Sequence, residues 1–325
     1  MTIDVFEEIC ARRKYSIKTR LKLHDWFAID GIPTLPSENV ANLPSIPDCP
    51  LCKLMHLAIT GGPFDFSTTW NRRGGWSAER AGFRVGSVGT FLSFLEDGGT
   101  SPWLPKRGRI IENAQINPNL ISKWIRSCEM VHRSECAPLP LQIGYGSGLK
   151  VFRLIDVTKG CVVEISRSDK QYRYFALSYI WGRAEQVRLL TTNMHILMRP
   201  GGLQYPTSAK LLPTTIQDAI DLVRTAGEQY LWVDSLCLLQ DDPNDMALSI
   251  PFMDMIYRGA FVTIIAASGK DADSGLPGVQ PGSRQAKQDV EEVVPGVKMV
   301  VLRELDEYLS ASRYATRGWT LVSGL

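Results

Sequence analysis

From residue 172 onward the apolar positions alternate between short continuous runs and helical stripes. The runs 173–180, 230–239 and 261–267 are almost wholly apolar, the pattern of strands covered on both faces. Between the first two, Ile216, Ala219, Ile220 and Val223 recur at i, i+3, i+4 and i+7, which is one apolar stripe on a helix. Thr214 and Gln217 have the spacing of a capping box, and Gly227 suits a left-handed stop. Before the third run, Met246, Ile250, Met253 and Tyr257 predict a helix within 242–258, with Asp242 as N-cap and Pro251 interrupting it. The order βαβαβ predicts parallel pairing, because such connections need room to cross over. A polar, glycine-rich stretch at 269–295 reads as a mobile loop, and 297–302 as one more strand.

Residues 1–145 are different, being rich in Pro, Gly and Trp with little periodicity and an irregular stretch over 61–108. Leu120, Trp124, Ile125 and Cys128 predict a helix over 119–136. The run Gly144-Tyr-Gly-Ser-Gly148 reads as a boundary, not a dinucleotide loop, because no strand precedes it and its glycine spacing is wrong. The expected class is α/β: a parallel sheet flanked by helices over 150–325, behind an irregular, partly helical region at 1–145.

Composition narrows the function classes. A hydrophobic fraction of 44% over 325 residues is that of a globular protein with a real core. The formal charge of +2 gives no global field toward nucleic acid or an anionic membrane. The first twenty residues lack the apolar core of a secretory signal, and no apolar run is long enough to cross a bilayer. A cytoplasmic chain is expected, with its seven cysteines reduced, buried or metal-bound.

In an open parallel sheet a ligand crevice forms beyond the carboxyl ends of the strands. The ends here are Trp181-Gly182-Arg183, Asp234 to Asp242, and Ser268-Gly269-Lys270-Asp271. Trp181 offers a flat stacking face, Gly182 permits close backbone approach, and Arg183 suits a phosphate. The plainer alternative packs Trp181 in the core and uses Gly182 only to turn the chain. Asp234 interrupts an apolar run, so its carboxylate needs partners, either structural donors such as a tryptophan N–H or a ligand that it serves in catalysis. Asp241 and Asp242 have the look of turn and cap residues ahead of Pro243. Cys237 reads as a core thiol, and the four histidines show no hydrolase signature.

The amino-terminal region carries a candidate metal set. Cys49-Pro-Leu-Cys52 is a CxxC knuckle, and Cys128, His132 and Cys136 share one face of the predicted helix. Cys49 and Cys52, completed by His132 with either Cys128 or Cys136, would supply a tetrahedral structural zinc site, against the alternative of unrelated buried thiols.

Several blocks stand in a fixed order: Tyr174 to Gly182; Leu212-Pro213-Thr214 with Asp218-Ala219; Tyr230 to Asp241; Met253 with Ile256-Tyr257 and Ala260; Gly275-Leu276-Pro277-Gly278; and Arg317-Gly318-Trp319-Thr320. In that order they resemble the fungal heterokaryon incompatibility (HET) domain. The upstream cysteine and histidine pattern also looks like what often precedes that domain.

The resemblance implies an effector of fungal non-self recognition and programmed cell death, on a TIR-like, flavodoxin-like parallel sheet. Because some TIR-like proteins cleave NAD, it also implies an NAD glycohydrolase as an alternative. Asp234 would then be the catalytic carboxylate, with Trp181, Gly182, Arg183 and Asp241 contacting ligand. A third reading is a non-catalytic module working through protein partners or self-association. Two departures stand out: Ser249 occupies a position where the family usually has an acidic residue, and the last block continues Leu321 to Leu325 where the family continues with Gln-Glu. The resemblance therefore implies a domain cut short at its carboxyl end.

Overall fold

The computed structural model describes Leu54, Leu57, residues 75–77, 82–85 and 90–95, and most of 108–316. Within 108–316 the gaps are 112–114, 133–135, 142, 144–148, 150, 166–171, 184, 285–287, 295–296 and 304. In chain order the strands are β1 Gly75–Ser77, β2 Gly82–Val85, β3 Thr90–Phe94, β4 Phe152–Asp156, β5 Cys161–Ile165, β6 Phe175–Ser178, β7 Tyr230–Trp232, β8 Val262–Ile265, β9 Val290–Val294 and β10 Val297–Arg303. The helices used below are α1 Pro118–Ser127, α2 Met194–Leu197, α3 Pro206–Lys210, α4 Thr214–Thr225, α5 Asp234–Cys237, α6 Pro243–Ser249 and α7 Met253–Gly259. The strands form two five-stranded sheets in two compact units, one holding β1–β3 with β9 and β10, the other β4–β8 with α1–α7.

The first unit is an antiparallel sheet in the order β1-β2-β3-β10-β9. Leu92, Met299 and Val300 are buried in it. The stretch 61–108 is thus not simply irregular, and 290–294 is a strand inside what reads as loop. Each of these strands spans at most seven residues, too few for alternation to stand out against the surrounding Gly and Pro.

The second unit carries a sheet in the order β5-β4-β7-β6-β8. Here β6 pairs in parallel with both β7 and β8, as the crossover argument predicts, and the first of the three lies in the middle. The sheet is not wholly parallel, however. β4 pairs antiparallel with β5 and with β7, so the sheet is mixed. A four-residue connection between β4 and β5 allows only a hairpin. Asp156 Oδ1 closes it by accepting from the N–H groups of Thr158 (3.0 Å) and Lys159 (2.9 Å).

The α4 stripe behaves as read: Ile216, Ala219, Ile220 and Val223 are all buried, and the helix packs on β6 and β7. Burial of each larger side chain is worth about 1.5–3 kcal/mol. The capping box does not form, because the helix starts one residue earlier than that motif needs, at Thr214 itself. Pro213 is the N-cap and makes no side-chain cap, while Gln217 Nε2 donates to the Leu212 carbonyl. Gly227 ends the helix at φ +80°. Asp242 caps α6 by accepting from Asn244 N–H at 2.9 Å, and the turn containing Pro251 separates α6 from α7. Trp232 is fully buried and meets Tyr257 of α7 edge to face at 5.2 Å.

The predicted helix over 119–136 is shorter. α1 ends at Ser127, residues 128–132 form a wider π turn, and Cys136 lies in a bend beyond it. Cys136 is therefore not on the helix face of Cys128. Gly144 to Gly148 lies outside the described residues.

Candidate functional site

β7 is only three residues long, so Asp234 does not sit inside a strand as the apolar run suggests. It opens α5, at the exit of β7 and beside the exit of β6. Trp181 leaves β6 on the neighbouring track, and its Nε1–H donates to both oxygens of the Asp234 carboxylate, at 3.1 and 3.0 Å. Asp234 Oδ1 also accepts from Ser235 N–H at 2.7 Å, and the Tyr179 hydroxyl donates to Ser235 Oγ at 3.0 Å. These bonds fix the indole in one orientation and tie two adjacent strand exits together.

Gly182 follows with φ +72°, where a side chain is strained, and a Cβ there would lie 2.5 Å from the Asp271 Cβ. The loop after β8 thus rests on the turn after β6, and Ala272 N–H donates to the Trp181 carbonyl at 3.2 Å. That loop is not loose. Buried Asp218 on α4 accepts from Leu276 N–H (2.7 Å) and Gln280 Nε2 (3.0 Å), and Thr215 Oγ1 accepts from Gly275 N–H (3.1 Å). All three strand exits meet in this way.

Trp181, Gly182 and Arg183 form one side of a cleft of about 540 Å³. Residues 185–188 and 190, with Asn193, Ile196, Thr207, Ser208 and Leu211, supply the rest of its lining. The segment after Arg183 is held along α5: Leu189 N–H donates to the Ser235 carbonyl and Gln240 N–H to the Leu189 carbonyl, both at 2.9 Å. Gln240 Nε2 donates to the carbonyls of Asp234 (3.0 Å) and Leu238 (3.1 Å). Asp241 anchors the same segment by accepting from the hydroxyl (2.6 Å) and N–H (2.9 Å) of Thr191. That hydroxyl, then the N–H, hold its carboxyl below the usual carboxylate range. Asn193 braces the wall, accepting from Leu190 N–H and donating to the Arg188 carbonyl, both at 2.8 Å.

The residues expected at the strand exits are therefore distributed unequally. Trp181, Gly182 and Arg183 line the cleft; Asp234 is not in the lining and bonds to the indole that is, while Asp241 only anchors Thr191, beside the lining residue Leu190. Sequence reasoning passed over Arg188 and the α2 and α3 side chains, which carry no motif. Cys237 is buried, and burial pushes its thiol up to about 12, so it is neutral and inert at physiological pH. Ser249 is also buried, at the end of α6.

Of the candidate zinc set, Cys128 is half-buried and Cys136 exposed, while Cys49 and Cys52 lie outside the described residues. Among the described residues no three His, Cys, Asp or Glu side chains come together in a metal-binding arrangement. The block at 317–320 is also outside them, and no described helix is long and apolar enough to cross a membrane.

A family model described as Heterokaryon incompatibility protein (HET) matches residues 174–322. The match starts at the residue before β6 and takes in β6, β7, β8 and the cleft, but not the hairpin of β4 and β5. No curated protein and no solved structure matches the chain.

Proposed function

We propose, from the match of residues 174–322 to the heterokaryon incompatibility family, that this chain acts as an effector of fungal non-self recognition, driving programmed death of incompatible fused cells. The supporting observation is the family match, whose span contains every strand exit that meets around Trp181. Expressing the chain from an inducible promoter in a fungal host and counting viable colonies tests this. Colony counts should fall on induction, and a Gly182→Asp variant, which breaks the meeting of the exits, should restore them. Unchanged viability with the protein present overturns the reading.

A second reading, an NAD glycohydrolase, is favoured by one observation: a carboxylate, Asp234, bonded to the ring that walls a ligand-sized cleft. In that reaction the bond from ribose to nicotinamide breaks, water adds to the ribosyl carbon, and one proton is released. For its carboxylate to stabilise the developing positive charge, the ribosyl centre must reach past the indole to Asp234, which does not itself line the cleft. Purified protein should release nicotinamide from NAD, and an Asp234→Ala variant should not. Equal release by the two, or none from either, removes the enzyme.

A further inference from the structure

The chemistry left available in the cleft points to a ligand more specific than its volume. The one N–H of the Trp181 ring is spent on Asp234, and the half-buried indole packs partly on the core, so what it offers the cleft is apolar ring surface and no donor. Arg183 and Arg188 are exposed at the same cleft, and neither guanidinium has an ion pair or hydrogen bond among the described residues. The single acidic side chain in the lining, Glu185, forms no ion pair with either. Asn193 has both its amide groups committed to the backbone, so the wall carrying Arg188 is braced before any ligand arrives.

We infer that this cleft binds a planar ring carrying phosphate, the ring stacked on Trp181 and the phosphate held by Arg183 and Arg188. Two guanidinia at one site suit a doubly charged group better than a carboxylate, and their planar forks match phosphate oxygens. A cationic ring is disfavoured by the same two charges. Asp234 has a positioning role here, since it orients the indole without lining the cleft. The inference deepens the second reading above, and the two fail separately. A chain that binds ADP yet releases no nicotinamide from NAD keeps the site and loses the enzyme.

Isothermal titration of the full chain with ADP tests it, with adenosine and pyrophosphate as the two halves of the probe. ADP should bind saturably, more weakly as salt rises. Each half alone should bind at least about tenfold more weakly, because each forgoes either the stacking or the charge-assisted bonds. Arg183→Gln and Arg188→Gln lie at exposed positions, should leave thermal unfolding unchanged, and should each weaken ADP about tenfold. Trp181→Phe, which lacks the N–H, should weaken adenosine and ADP alike and leave pyrophosphate unaffected. The site is overturned if ADP gives no saturable heat, or if the double arginine variant binds it as wild type does. Adenosine equal to ADP removes the phosphate half, and pyrophosphate equal to ADP removes the ring.

Discussion

The two halves of the mixed sheet treat their buried polar groups in opposite ways. In the hairpin half, Arg153 and Asp156 lie inside β4, and their partners sit in the protein core, at the hairpin turn, on β5 and just before β7. The Arg153 guanidinium meets Asp245 at 3.0 Å, Asp245 also accepts from Leu239 N–H at 2.9 Å, and Asp156 accepts from Gln229 Nε2 at 2.9 Å. In the parallel half, the strands themselves carry no charge, though they hold hydroxyls such as those of Ser178 and Thr263, and the charged groups begin where the strands stop, at Asp234 and Asp271. Antiparallel neighbours send alternate ends in opposite directions, whereas parallel ones bring all their carboxyl ends to one side. Charge in the hairpin half holds the fold, and charge in the parallel half is placed where it can meet something else.

The strongest break of this contrast is Asp245→Ala. It leaves Arg153 buried at 6% exposure with the partner of its Nη1 gone and only half-exposed Glu164 beside its Nε, and should cost about 3–5 kcal/mol in urea unfolding. A loss under about 1 kcal/mol would show that the pair is not structural. Gly182→Ala comes next: a left-handed residue whose added Cβ meets Asp271 should cost about 1–3 kcal/mol by the same measurement.

Asp234→Ala, in the parallel half, removes the acceptor of the indole N–H and should cost about 1–2 kcal/mol, with altered tryptophan fluorescence. A cost matching Asp245→Ala would erase the distinction between the halves. The smallest effect belongs to Asp241. Its folded carboxyl titrates below the unfolded one, so its contribution is present above the ordinary carboxylate range and is lost as pH falls through the folded value. The stability difference between wild type and Asp241→Asn should therefore be visible near neutral pH and close in acid; a constant difference would contradict the Thr191 bond.

Much of the parallel half was readable because its physics is local. The stripe at 216, 219, 220 and 223, the stop at Gly227, the cap at Asp242 and the break at Pro251 each depend on neighbours in the chain. The hairpin was not, because Arg153 and Asp156 spoil its apolar pattern, and the partners that make their burial tolerable include Asp245 and Gln229, 92 and 73 residues away. The same reason hid the end of β7, since an apolar run continues from strand into the buried α5 without a change in composition. Within the site, the need of Asp234 for a donor was legible, and a tryptophan N–H was among those foreseen. Arg188 was not, because its place beside Trp181 comes from backbone bonds between Leu189 and Ser235.

The seating of Gly182 on Asp271 has a mechanical consequence. With no slack between those two turns, a shift of the Trp181 backbone must carry the segment at 271–276 with it, and that segment is hooked to α4 through Thr215 and Asp218. Anything that displaced Trp181 would therefore load α4, a helix that contributes nothing to the lining of the cleft, through that one seam.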